Sequence, residues 1–339
     1  MKNKDRFLDY YMELINIEPS ASLFYNYQEK QEEVYKAYAI NQIMISFNNQ
    51  DLDYEKMMSE INKVNGEFIK TNDKNKLTPE EVVELITTDK SILVFEKFNQ
   101  LQKKVNFLQN TVNVIAARTS VGKSGLALNL FNDLSENYKC LYFNMEMTEK
   151  EVYQRLISMN TNIPIDHFKQ PSERQLKLIN ESARELYKRK IRIVNGSKSI
   201  KALKNIIVRE QKEEHLIVFI DYIGYVYTKS THNDRERIGE ALRELQILSK
   251  DYNVTLFILA QINREGNTEP TLVNLKDSGE LEQTAHAVLI LHNPTNNLND
   301  ENPTLKLMIP KNRNGKTGYL EMKYQKNIQK FEEENYETH

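Results

Sequence analysis

Gly122, Lys123 and Ser124 stand in direct succession at the end of the segment ARTSVGKS, residues 117–124. A small residue followed after four positions by Gly-Lys-Ser has the spacing of a phosphate-binding loop. Gly122 lets backbone N–H groups close around phosphate oxygens, and Lys123 can reach the β- and γ-phosphates of a nucleoside triphosphate. Ser124 offers a hydroxyl to Mg²⁺ at the positive end of the helix that follows. The first position is Ala117 where glycine is commonest, and alanine tolerates fewer backbone conformations. The context compensates: an apolar strand, 112–116, runs into the loop and a helix, 126–134, runs out of it. Ala117, Arg118, Thr119, Ser120, Val121, Gly122, Lys123, Ser124 and Gly125 are therefore the expected binding residues, with ATP and Mg²⁺ the expected ligands.

A phosphate loop needs a carboxylate that holds Mg²⁺ through its water shell. The segment LIVFID, 216–221, is an apolar strand ending in Asp221, the usual form of that partner, although an acid at a strand end can also cap a helix. Hydrolysis further needs a group that polarises water. Glu146, in NMEM, follows the expected strand 141–143 at the edge where phosphate loops lie, which suits a general base. Thr148 and Glu149 just beyond it suit a helix start, so the residues alone leave both readings of Glu146 open.

These residues need a scaffold, and from about residue 105 short β-rich runs alternate with helical ones. Strands are expected at 112–116, 141–143, 191–194, 216–220, 255–259 and 288–291. Helices are expected at 126–134, 149–159 and 235–250, the last with Ile238, Leu242, Leu245 and Leu248 on one face. Such alternation predicts an α/β fold, a mostly parallel sheet covered on both sides. The runs 305–310 and 319–324, joined by polar 311–318, predict a terminal hairpin. Upstream, residues 1–72 read as a small all-α module: Phe7, Leu8, Tyr11, Met12 and Ile15 recur at helical spacing, and Val34, Tyr38, Met44 and Ile45 form a weaker stripe. Residues 73–94 read as a linker with a docking helix. There Thr78 is the N-cap, Pro79 the first helical residue and Glu81 the third member of a capping box. Val82, Leu85 and Ile86 give this short helix an apolar face that must dock on its own domain or on a neighbouring subunit. The α/β core spans 95–331, and 332–339 is an acidic tail.

The ordered segments resemble the RecA-like motor domain of DnaB-type replicative helicases over residues 95–331. AARTSVGKS is similar to that family's first motif, including the alanine and the arginine after it. FNMEM resembles the segment that carries the catalytic glutamate, here Glu146, and VFIDYIGYV the Mg²⁺-associated strand, with Asp221 as its acid. LAQINRE is similar to the sensor strand, in which Gln261 reports the state of the γ-phosphate. LKDSGELEQTAH resembles the segment that touches single-stranded DNA, which puts Lys276, Asp277, Ser278 and Gly279 in the channel of a ring. PKNRNGKTG resembles the segment carrying an arginine finger that acts on the neighbouring subunit, Arg313 meeting the γ-phosphate and Lys311 assisting. Residues spaced i, i+2 on an extended segment do point to one side.

The resemblance implies a RecA-like P-loop ATPase core preceded by a small helical module and a linker helix. Its catalytic set would be Glu146, Lys123, Asp221, Gln261, Arg313 and Lys311. It further implies a homo-oligomeric ring, expected to be a hexamer, that translocates on single-stranded DNA and unwinds duplex, with a helicase loader or primase as candidate partners. The family usually has arginine where Lys276 stands, an acidic stretch at Thr284-Ala285-His286, and a larger N-terminal helical domain. The short form suits a phage or mobile element. Two other classes share the motifs: a nucleotide-dependent, helicase-like interaction protein that does not unwind, and a RecA-type recombination ATPase.

Composition sets the outer limits. The 339 residues are 40% hydrophobic and 28% charged, enough for a substantial core and a solvated surface, with net charge −2. The longest apolar runs are strand-sized and the first residues lack a secretory pattern, so no membrane association is expected and the cytoplasm is the expected location. The single cysteine, Cys140, excludes an intramolecular disulfide and a cysteine-based zinc ribbon. Charge is unevenly spread: from Pro303 to Lys330, seven basic residues (Lys306, Lys311, Arg313, Lys316, Lys323, Lys326, Lys330) stand against one acid, Glu321. On charge alone these are solvated cations on strand faces.

Overall fold

The computed structural model describes residues 39–49, 51–67, 78–79, 82–83, 92–212, 214–228, 233–262, 269–275 and 278–334. The chain divides into two compact units, Met1–Asp89 and Lys90–His339. In the first, residues 39–48 and Tyr54–Glu67 are helical, with Met57 buried and Met44 and Ile45 exposed. The stripe from Phe7 to Ile15, the polar linker 71–76 and Glu81, Leu85 and Ile86 of the expected docking helix lie outside the described residues. Pro79, Val82 and Val83 are helical, and the Val82 N–H donates to the Thr78 carbonyl at 2.9 Å.

In the second unit the strands are β1 (Val112–Ala117), β2 (Lys139–Asn144), β3 (Ile191–Asn195), β4 (Lys198–Ser199), β5 (Leu216–Asp221), β6 (Val226–Tyr227), β7 (Val254–Gln261), β8 (Ala287–His292), β9 (Thr304–Asn312), β10 (Gly318–Gln325) and β11 (Lys330–Glu333). The helices are α1 (Asn99–Lys104), α2 (Lys123–Leu134), α3 (Glu149–Thr161), α4 (Glu173–Lys188), α5 (Ile200–Glu210), α6 (Asp234–Asp251) and α7 (Ser278–Thr284). Among the described residues nine strands form one sheet in the order β11-β10-β9-β8-β1-β7-β5-β2-β3. From β8 to β3 every pairing is parallel, whereas β8–β9, β9–β10 and β10–β11 are antiparallel.

The residue types account for this layout. VNVIAA, LIVFID and AVLILH are buried at every position, as strands covered on both faces must be. Alternate residues feed two cores. Ile115, Tyr142, Phe219, Phe257 and Leu289 pack with α1, α2 and α3, while Val114, Phe143, Val218, Ile258 and Val288 pack with α5, α6 and α7. The aromatic stack Tyr142–Phe219–Phe257, with centroids 5.9 and 4.7 Å apart, runs across three strands beneath α2. In β9 and β10 buried and more exposed positions alternate instead.

The expected strands and helices are present, most of them longer by one to three residues at an end. Glu332 and Glu333, read as the opening of an acidic tail, instead belong to β11. The Glu333 carboxylate accepts from the Gln100 and Leu101 N–H groups, both at 2.7 Å, and so caps α1, whose own N-cap residue Phe98 makes no side-chain bond. Helix α4 opens on a Ser172–Gln175 capping box and buries only Leu186, leaving Leu176 and Tyr187 49% and 91% exposed.

Candidate active site

The carboxyl ends of the parallel strands converge on one edge of the sheet, where loops are free to approach a ligand. The loop from β1 to α2 turns through positive φ at Ser120 (67°) and Gly122 (117°), and Gly122 is the N-cap of α2. A Cβ on Gly122 would lie 3.1 Å from the Tyr324 ring and 3.2 Å from Phe331, so glycine is required there by conformation and by space. Tyr324 and Phe331 stack with centroids 4.1 Å apart and back the loop. Asn129, on α2, locks them in place. Its Nδ2 donates to the Gly125 and Gln329 carbonyls, both at 2.8 Å, and its Oδ1 accepts from the Phe331 N–H at 3.0 Å.

An open cavity of about 330 Å³ is lined by Ala117, Arg118, Thr119, Ser120, Gly122, Lys123, Ser124 and Gly125, with Glu146, Gln261, Arg155, Tyr324, Lys326 and Gln329 around them. Val121 is the one loop residue that turns away, 8% exposed in the core. Burial lowers the Lys123 pKa, an effect that Asp221 and Glu146 oppose. Its Nζ lies 4.4 Å above the Tyr222 ring.

Asp221 is fully buried at the end of β5. Its Oδ2 accepts from the Tyr142 hydroxyl at 2.8 Å, and its Oδ1 has no hydrogen-bond partner among the described residues. A buried carboxylate oxygen left without a donor suits the water shell of a divalent cation, and Ser124 on the cavity wall can supply a hydroxyl ligand. Glu146 sits on a turn built by its neighbours. Asn144 Oδ1 accepts from the Met147 N–H at 3.0 Å, and the Met145 N–H donates to the Asp221 carbonyl at 2.9 Å. The helix start that Thr148 suggested is also present, as a Thr148–Glu151 capping box that opens α3 immediately after Glu146. The two readings of this segment are thus compatible, with the acid before the cap. Although Glu146 is an exposed residue, loss of water around its carboxyl raises its pKa, a shift that Lys123 and Arg155 oppose and Asp221 reinforces.

Gln261 closes β7 beside Ala117, and its Nε2 donates to Thr119 Oγ1 at 2.8 Å, so a side chain on one strand end touches the phosphate loop directly. Beyond it Ile262 pairs with Leu275, immediately before the segment expected to contact DNA. Lys276 and Asp277 lie outside the described residues; Ser278 and Gly279 open α7.

Lys311 and Arg313 are at the other end of the sheet. Asn312 pairs with Ala287, which pairs with Asn113, four residues before the start of the loop. At strand rise that is about 13 Å along the sheet, beyond the reach of one arginine. Lys311 Nζ donates to the Glu282 carbonyl and Arg313 Nη2 to the Gln283 carbonyl at 2.6 Å, so both cations sit at the carboxyl end of α7. His286 beside them is buried, its N–H donating to the Val112 carbonyl at 2.7 Å.

Sequence reasoning missed Arg155, Tyr324, Lys326 and Gln329. Arg155 lies one helical turn beyond Glu151 of the capping box, at no motif spacing, and the other three reach the cavity only through pairing of β10 with β11.

The domain family described as the DnaB-like helicase C-terminal domain matches residues 94–333. Among curated proteins the chain is similar to a probable replicative DNA helicase of Trieres chinensis, 27% identical over 249 residues, which are 66% of this chain and 53% of that protein. It is also similar to a probable plasmid replicative DNA helicase of Chlamydia trachomatis serovar L2, 25% identical over 228 residues, 64% of this chain and 49% of that one. The chain thus spans about half the length of the curated relatives it matches. Among solved structures, one described as an isolated ATPase domain superposes with a TM-score of 0.69 at 22% identity, covering 77% of this chain and all of that one. A DnaB-like replicative helicase studied for its interactions with primase gives 0.72 at 21% identity, covering 90% of this chain and 76% of that one. Both likenesses establish the fold, a RecA-like ATPase core. Among the described residues no helix is long and apolar enough to cross a membrane.

Proposed function

We propose that this chain, which belongs to the DnaB-like helicase C-terminal domain family, is an ATP-hydrolysing motor that assembles as a ring and moves along single-stranded DNA to unwind duplex. A hexamer is the expected ring, and a helicase loader or a primase is the expected class of protein partner.

In this reading the phosphate chain lies on the backbone N–H groups of residues 118–124 and meets Lys123. Ser124, and Asp221 through water, hold Mg²⁺, which when bound offsets charge on the β- and γ-phosphates. Glu146 takes the proton of the attacking water, and a carboxylate whose pKa is raised by burial is a stronger base for that purpose. Gln261 senses the γ-phosphate through the same loop and passes its state through Ile262 and Leu275 to residues 276–279, where Lys276, Asp277, Ser278 and Gly279 track the DNA backbone.

The observation that carries the reading is the position of Arg313. Too far from its own phosphate loop to serve it, it can complete only a neighbour's site, with Lys311 beside it. The exposed apolar positions of α4, Leu176 and Tyr187, offer a neighbour's docking helix a place to seat. Mixed assemblies test this. Arg313→Ala and Lys123→Ala proteins should each lose ATPase activity, with nucleotide binding retained by the first. Mixed together they should regain part of it, because one interface type then has both an intact loop and an intact finger. Full activity of Arg313→Ala alone would sink the intersubunit site.

A second reading has one observation in its favour: both cations are already engaged on α7 carbonyls within the chain, as a purely structural pair would be. It describes a helicase-like ATPase that assembles without unwinding. DNA-stimulated ATPase activity with no displacement of a forked duplex would favour it.

A further inference from the structure

Arg155 is a cation with no assigned task. It projects from α3, is half-buried, and lines the same cavity as Lys123, Ser124 and Glu146. The other cations near it are committed. Arg189 binds the Asn132 carbonyl and Ser135, Lys326 donates to the Leu298 carbonyl, and Lys330 pairs with Glu332. Arg155 makes no hydrogen bond and no ion pair among the described residues. A guanidinium held partly out of water without a partner is unfavourable unless a ligand completes it. Its surroundings narrow what that ligand is. The rim beyond it is closed to hydrogen bonding, since Gln329 spends its amide on the Tyr324 hydroxyl and the Lys326 carbonyl. What remains within its field is the Glu146 carboxylate on one side and the open cavity on the other.

We propose that Arg155 is a further catalytic residue, one that grips a phosphate oxygen of the bound nucleotide from the cavity wall formed by α3 and supplies a positive charge beside Glu146. This rests on the ATPase reading given above. Arg155 and Lys123 would then clamp the phosphate chain between two helices, and a planar guanidinium can bind phosphate with two parallel N–H groups where an ammonium cannot. Glu146 is faced by Lys123 from α2, Asp221 from β5, Tyr142 from β2, Tyr222 after β5 and Arg155 from α3. Of these Lys123 and Arg155 are the positive charges, so removing Arg155 leaves Lys123 alone to oppose protonation.

The test compares wild type, Arg155→Gln and Arg155→Lys in steady-state ATPase assays across pH, with thermal melts to confirm folding. Arg155→Gln should raise KM for ATP about tenfold, the usual loss for one charge-assisted hydrogen bond. It should also move the acid limb of kcat/KM to higher pH. Arg155→Lys should restore the limb, because the charge returns, but not the full affinity, because the fork does not. A folded Arg155→Gln protein with an unmoved limb overturns the inference, whether or not KM changes. If the wild type hydrolyses no ATP at any pH, the ATPase reading fails and the inference with it. If it does and the variant matches it, the inference alone fails.

Discussion

Asn129 offers the sharpest test of how the nucleotide cavity is held open. Only 6% exposed, it is the polar joint between α2 and the β10–β11 turn, with hydrogen bonds to the Gly125 and Gln329 carbonyls and from the Phe331 N–H. In Asn129→Ala the Gly125 carbonyl keeps its place in the helix ladder. The Gln329 carbonyl and the Phe331 N–H lose these partners in a site where water does not replace them. Each buried group left unsatisfied costs about 1–3 kcal/mol, so the variant should lose about 2–6 kcal/mol. Asn129→Asp keeps the acceptor for Phe331 but gives up the donor, and should fall between. Urea unfolding with a conserved m-value measures the loss. The same variant should bind ATP more weakly, because Tyr324 and Phe331 back Gly122 and Gly125 at contact distances of 3.1–3.3 Å and would no longer be pinned there. A stability loss below about 1 kcal/mol, together with wild-type KM, would refute the claim that this joint shapes the loop.

Two further outcomes follow from burial. Desolvation raises the Glu146 pKa and lowers that of Lys123, so the pH profile of kcat/KM should be narrowed from both sides. As pH falls, the base takes up its proton earlier than an ordinary glutamate, and as pH rises the lysine loses its proton earlier than an ordinary lysine. Lys123, Arg155, Asp221, Tyr142 and Tyr222 all face Glu146 and set the final position; an acid limb at or below the ordinary value of 4.5 would contradict the assignment of Glu146. Cys140 is 1% exposed on β2 and burial pushes its thiol pKa up, so it should resist a thiol reagent in the folded protein and react at once in denaturant. Rapid labelling of the native protein would show that β2 opens.

The features legible in the sequence were those governed by near neighbours. Gly-Lys-Ser at the right distance from a small residue, an acid closing an apolar strand, and runs buried on both faces all depend on a few adjacent residues, and the structure brings them to one edge. The wall of the cavity depends on packing over long separations. Asn129 meets Gln329 and Phe331 across about two hundred residues, and nothing in LEMKYQKNIQKF marks Tyr324 and Phe331 as partners of a glycine loop. Glu333 was unreadable for the same reason. An acid in a run of acids looks like a solvated tail until the helix end that it caps is present. Arg155 was hidden differently, since a lone arginine on an amphipathic helix is ordinary until its surroundings leave it without a partner.

The bonds from Glu333 to Gln100 and Leu101 span 233 and 232 positions, and they sit in the same turn-and-strand segment that walls the phosphate loop. A chain emerging from the ribosome would therefore make its phosphate loop early and the wall behind that loop late. Residues 112–134 could form strand, loop and helix while about two hundred residues were still to come, yet Tyr324 and Phe331 would be missing. Nucleotide affinity would thus arrive only near the end of synthesis of this unit, and an incomplete chain, truncated before Phe331, would be a poor competitor for ATP.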